Sequence, residues 1–146
     1  MRKALLSVHR DEGGQAMVLV AIFLMGLVAV AGLVADGGVV FAQRRELQNI
    51  ADAAAAAGAM RVDEATYRSS GGAVIVLDQG AANITAVEYL VGEPGLQYTV
   101  GVTGTRVNVG VARSAKTAFL RVLGINDVQI NAHAVAEPRF GIAGGP

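Results

Sequence analysis

From Ala16 to Ala35 the chain reads AMVLVAIFLMGLVAVAGLVA, twenty positions without a charge, a proline or a side-chain amide. A helix of that length spans roughly 30 Å, the thickness of a bilayer's hydrocarbon core. Eleven of its residues are Val, Leu, Ile or Phe, which together favour insertion by roughly 5 kcal/mol. A surface helix of a soluble protein buries only one stripe, whereas this one is apolar all round. The pattern predicts a membrane span.

Asp36 closes the apolar run, and Gly37-Gly38 follow it, a place for a kink at the bilayer exit. The next stretch, VVFAQRRELQNIADAAAAAGAM, is alanine-rich and proline-free. Val40, Leu47, Ile50, Ala54 and Ala57 fall on one helical face, interrupted by Gln43. One helix from about Gln15 to Met60 accounts for both halves, the first in lipid and the second in water. The small residues from Ala51 to Ala59 either admit a close backbone neighbour or are present because alanine is the best helix former. The pattern leaves both readings open.

Arg61 to Ser70 extends the helix or frays, and Ser69-Ser70-Gly71-Gly72 reads as a loop. Ala73–Leu77 is too short to separate strand from helix lead-in. Asp78 is suited to cap a helix through Ile84, Val87 and Val91 that stops at Gly92, and Glu93-Pro94-Gly95 is a turn. Leu96, Tyr98, Val100 and Val102 alternate with polar or small residues, as do Val107, Val109 and Val111. A two-residue turn at Thr103-Gly104 pairs Val102 with Thr105, Val100 with Val107 and Tyr98 with Val109, leaving all apolar side chains on one face. Ser114 is then expected to cap a short helix burying Ala115, Ala118, Phe119, Val122 and Leu123, with Gly124 at its end. Val128 to Ala136 alternates with Gln129, Asn131 and His133 as a further strand, stopped by Pro138. The tail FGIAGGP reads as loose. The fold class is α+β: a long N-terminal helix, transmembrane in its first half, packed on a small antiparallel sheet of three or four strands with short helices.

Composition narrows the function. Of 146 residues, twelve are basic and twelve acidic, which argues against a basic nucleic-acid surface. Cysteine is absent, excluding disulfides and thiolate metal sites. Aromatic residues make up 5% and Trp is missing, so a large aromatic binding platform is not expected. What remains beyond the span is enough for one small domain.

Catalytic patterns are equally scarce. No nucleophile elbow, phosphate loop or dinucleotide fingerprint occurs, and His9 and His133 are too far apart for a usual metal spacing. His133 falls on a strand's outer face, Asp63 and Glu64 diverge on a helix, and the sequon Asn83-Ile84-Thr85 lies inside one. Neither an enzyme nor a cofactor or small-molecule substrate is expected. Asp36 stands out, either as an interfacial stop or as a partner for a basic residue nearby.

Arg2, Lys3 and Arg10 precede the span and Arg44 and Arg45 follow it, favouring a cytoplasmic N-terminus by three to two. The division is a leader at 1–15, a transmembrane helix at 16–35 and an extracytoplasmic domain at 36–146. Alternatively, Ala29-Val30-Ala31 is a small-x-small triplet at which signal peptidase would release a secreted binding module.

Gly14-Gln15-Ala16 at the mouth of the span, Asp36-Gly37 at its exit and Leu47-Gln48-Asn49-Ile50-Ala51-Asp52-Ala53-Ala54 beyond it resemble the tight-adherence (Flp-type) pilus-assembly proteins of the TadE/TadG kind. The valine hairpin and the final alternating strand fit the same order more loosely. The resemblance implies a pseudopilin-like architecture and a single-pass protein of the cytoplasmic (inner) membrane, its domain outside. Its partners would be the lipid bilayer and other pilus-assembly or pilin-like membrane proteins. It also marks Gly14, Gln15, Asp36, Gly37, Leu47, Gln48, Ala51 and Asp52 as motif positions. One departure is informative. Cleaved pilin-like members carry a glutamate five residues into the mature chain, but cuts after Gly14 or Gly13 would place Leu19 or Val18 there. The uncleaved, TadG-like reading is the one this favours.

Overall fold

In the first half of the chain, helix propensity meets no proline and no cap until Ala59, and α1 runs unbroken over Glu12–Ala59. It continues straight through Gly37-Gly38. The computed structural model describes residues 12–138. The leader's Arg2, Lys3, His9 and Arg10 and the tail FGIAGGP lie outside the described residues. Between Gly14 and Ala35 every residue of α1 is exposed except Gly32. The folded domain packs on the second half.

Asp63 opens the short helix α2 (Glu64–Ser69), its carboxylate accepting from the Ala65 and Thr66 N–H groups. Positive-φ glycines at 71 and 72 then turn the chain, as only glycine does without strain. Ala73–Leu77 settles as an extended segment. Its Val76 carbonyl accepts from Asp63 N–H, and Leu77 forms one bridge to Val62. Asp78 caps α3 (Gln79–Val91) through the Ala81 N–H, and Gly92 ends it.

Three strands complete the domain, β1 (Gln97–Val102), β2 (Val107–Lys116) and β3 (Asp127–Ala136), antiparallel in the order β1-β2-β3. Val107, Val109, Val111 and Ala115 point from the central strand into the core, with Ile130 and Ala134 from β3. Gln129, Asn131 and His133 face outward. α1 and α3 together cover the inner face. The α+β class and the long-helix-on-sheet architecture are as the pattern implied, with three strands.

The hairpin register differs by two residues. Val102 pairs with Val107, Val100 with Val109 and Tyr98 with Val111. The tight turn is Gly104-Thr105, closed by reciprocal bonds between Thr103 and Arg106. A shift of two keeps every side chain on its face, so alternation alone does not separate the registers. Tertiary contacts do: the Gly104 carbonyl accepts from Leu77 N–H at 2.8 Å, and four valines stack in adjacent pairs.

α3 also turns a different face inward. Ala82, Ala86 and Leu90 are buried, whereas Ile84 and Val91 are exposed and Val87 is half-buried. Gly58 supplies the reason. A Cβ placed on it would stand 2.9 Å from the Ala82 carbonyl oxygen, 3.2 Å from a Val107 methyl and 3.3 Å from the Ala86 methyl. At so close a crossing α3 must present its small residues. The buried stripe of α1 is accordingly Leu47, Ala51, Ala54, Ala55, Gly58 and Ala59, with Val40 and Ile50 half-buried against the core. Ala57 is half-buried at its margin. The alanine run therefore admits a close neighbour, and on this face the neighbour belongs to the same chain.

The expected helix from Ser114 does not form. Ser114 pairs with Gln129 inside β2, and the ladder continues to Lys116 opposite Asp127. Beyond it there is only one 3-10 turn, Leu120–Leu123, ended by Gly124 in the left-handed conformation. Ala115 is buried as a strand residue, while Phe119, Val122 and Leu123 are exposed.

Replacing Gly58 with Val is expected to destabilise the domain by about 1–3 kcal/mol through overpacking. The change Ala56→Leu, on the exposed side of the same helix, is expected to stay within about 0.5 kcal/mol. Thermal unfolding of the two full-length variants in detergent, compared with the parent chain, checks both values.

Candidate functional site

β2 and β3 extend past the end of β1. The pairs from Arg113↔Ile130 to Lys116↔Asp127 have no β1 neighbour, so the two strands form an arm that reaches along α1 towards its apolar half. The arm's loop, residues 117–126, is braced from within. Thr117 is buried; its hydroxyl donates to the Ile125 carbonyl and its N–H to that of Asn126. Ile125 N–H donates to the Leu120 carbonyl at 3.1 Å.

Asp36 holds this loop to the helix. Its carboxylate, buried on α1, accepts N–H bonds from Ala118 at 3.0 Å, Phe119 at 2.9 Å and Leu120 at 2.7 Å. Those N–H groups open the 3-10 turn and have no partner within it. The cap assigned to Ser114 is thus supplied by a carboxylate more than eighty residues away. The Leu120 N–H does most to hold the Asp36 carboxyl below the ordinary carboxylate range; loss of water opposes it, and the other two N–H groups reinforce it. One turn earlier, Gly32 receives the Phe119 side chain. A Cβ there would lie 2.6 Å from the ring's Cγ and 2.8 Å from Phe119 Cβ.

Higher on the helix, Gln48 Nε2 donates to Asp52 Oδ1 and to the His133 carbonyl of β3, both at 3.0 Å. Arg113 lies between α1 and the end of α3, bonded to Glu46 at 3.5 Å and Glu93 at 3.2 Å. These contacts fasten the arm and sheet to α1 along its outer half. Of the positions singled out from sequence, Leu47 and Ala51 are buried, Gly37 is half-buried, and Gly14 and Gln15 are exposed.

Residues 14–61 match the Tad family, Flp pilus-assembly TadE/G-like. The Tad match covers α1 and ends two residues past it, about a third of the chain. No curated protein and no solved structure matches. Asp36, Leu47, Gln48, Ala51 and Asp52 of the Tad-like segment make their contacts within this one chain, several of them with residues downstream of the match.

Asp63 caps α2, Glu64 pairs with Arg68 on the surface, and His133 is exposed on the open sheet face. Among the described residues no group of three His, Asp or Glu side chains is placed to hold a metal. A concavity lies between α1 and the β3 edge, lined by Asp52, Ala56, Met60, Val135 and Glu137. Sequence reasoning missed Gly32 and Arg113. The alternation that runs from Val107 to Ala115 was the available signal for the arm, and Arg113 at an inward position masks it.

Asp36 and Asp63 both have folded pKa values held below their unfolded ones. For Asp63 the Thr66 N–H is the chief cause, followed by the Thr66 hydroxyl. Their stabilisation is in full force above the ordinary carboxylate range, about pH 4, and is lost as pH falls through the folded values. Amide protection factors at Ala118, Phe119 and Leu120 are expected to drop on such acidification. They should be low at neutral pH in Asp36→Ala, while protection in β1 and upper β2 persists.

Proposed function

We propose that this chain is a membrane-anchored assembly component or minor-pilin-like structural protein of a tight-adherence (Flp-type) secretion system. One observation carries the proposal: the apolar half of α1 is exposed everywhere but at Gly32, on the same residues that match a pilus-assembly family. Large side chains from Met17 to Val34 have no protein to bury them. Acyl chains are the solvent that suits such a surface. In this reading residues 1–15 are a cytoplasmic leader, 16–35 cross the inner membrane once, and 36–146 form a domain outside.

The domain's own contacts support retention of the span. Gly32 and Asp36 sit at the junction and hold the arm, so span and domain meet as one packed unit. Because α3 and the sheet fill the alanine face, partners in the assembly would meet the exposed span and the outer surface of the domain. The chemistry is that of packing and anchoring, with no catalytic step.

Expressed in cells, the full-length chain is expected in the membrane pellet after carbonate washing, with its N-terminus upstream of Ala31. Protease added to spheroplasts should remove the domain and spare the span. Cross-linking in those membranes should trap higher-order species. Recovery in the soluble fraction would overturn the anchor, and monomer alone after cross-linking would overturn the assembly role.

A further inference from the structure

The loop at the end of the β2–β3 arm carries an apolar surface that the fold leaves open. Phe119 is 50% exposed, Val122 86%, Leu123 77% and Ile125 45%. These side chains sit on a braced turn, so their exposure is built into the fold. Their position along α1 is set by two contacts, Phe119 against Gly32 and the loop N–H groups on Asp36. Gly32 lies within the apolar run, and the arm's tip therefore stands level with its last turn. On or beside the same face of α1, Val28, Leu33 and Val39 are also exposed. The apolar surface of the span thus continues sideways onto the loop.

We propose that loop 117–126 is a second membrane contact, a wedge seated in the headgroup–acyl boundary of the leaflet on the domain's side. The inference rests on the reading of α1 as a membrane span. Lipid is the occupant because the patch is continuous with the lipid-facing helix and lies at its depth. Apolar side chains at that level are buried roughly 5–10 Å into the boundary region. Lys116 and Arg121 are exposed on the same arm, placed to meet anionic headgroups. Arg44 and Arg45 lie about 12 to 18 Å further out along α1, above the wedge. A helix crossing alone is free to tilt and spin; a wedge fastened to its exit fixes how the domain faces the membrane plane and what it presents to neighbours.

The chain contains no Trp, so single substitutions report without background. The full-length variants Leu123→Trp, Met25→Trp and Glu88→Trp are placed in phosphatidylcholine–phosphatidylglycerol vesicles. The lipids are brominated near either the carbonyl or the methyl end of the chain. Leu123→Trp should emit blue-shifted light and be quenched most by the shallow bromines. Met25→Trp, at mid-span, should be quenched most by the deep ones, and Glu88→Trp by neither. If Met25→Trp is quenched while Leu123→Trp emits as in water, the wedge is overturned and the anchor stands. A blue shift at 123 without quenching, lost as protein is diluted in lipid, means that a second copy covers the patch and also overturns the proposal. Failure of quenching at 25 overturns both readings.

Discussion

Three backbone N–H groups converge on the Asp36 carboxylate, and that bond set fixes the relation between helix and domain. An acceptor-only carboxylate satisfies donors that a 3-10 turn leaves free. It does so at the junction between the apolar and polar halves of α1. The arm is thereby drawn down to the end of the apolar run. Without that tether, the loop's N–H groups would need water, and its apolar side chains would have no reason to sit beside Gly32.

The rest of the packing answers a second constraint. A helix of 48 residues has more surface than one small domain can cover, and only its outer half is apolar on a single stripe. That stripe is built from small side chains, so α3 crosses it with its Ala82 carbonyl almost touching Gly58. Leu47 provides the bulk at the lower end of the interface and the valines of β2 fill the other side. Among the described residues the inner half has no comparable stripe and, apart from Phe119 over Gly32, no protein covering it. One helix thus carries two kinds of surface, an exposed apolar half long enough to cross a membrane and a half striped to pack on the domain.

The Tad match spans this helix and the two residues after it, yet the helix does not stand apart from the domain downstream. Gln48 reaches the β3 backbone, Asp36 reaches the arm, and Leu47 and Ala51 lie under the sheet. For Gln48 and Asp36, a motif read along the helix alone records one side of a contact whose downstream side is backbone. Backbone carbonyls and N–H groups accept or donate regardless of the side chain attached, so the downstream partners of Gln48 and Asp36 leave little trace in residue type.

Periodicity determined much of this protein. Twenty apolar residues in line, a 3.6-residue stripe beyond them and alternating valines were enough for the long helix, the hairpin and the α+β class. Asp78 before a helical stretch and Gly92 after it were legible because caps act locally. Long-range choices were not legible. The two hairpin registers share a face, and the observed one goes with the bond from Leu77 to Gly104 and the paired valines. Ile84 and Val91 fit a buried helical face as well as Ala82 and Ala86 do, until Gly58 sets the crossing distance. Ser114 suits a cap, but its backbone is taken by Gln129 while Asp36 does the capping from across the fold. Local pattern decides which elements the chain forms; which of their faces meet depends on distances between residues far apart in sequence, and those exist only once the chain has folded.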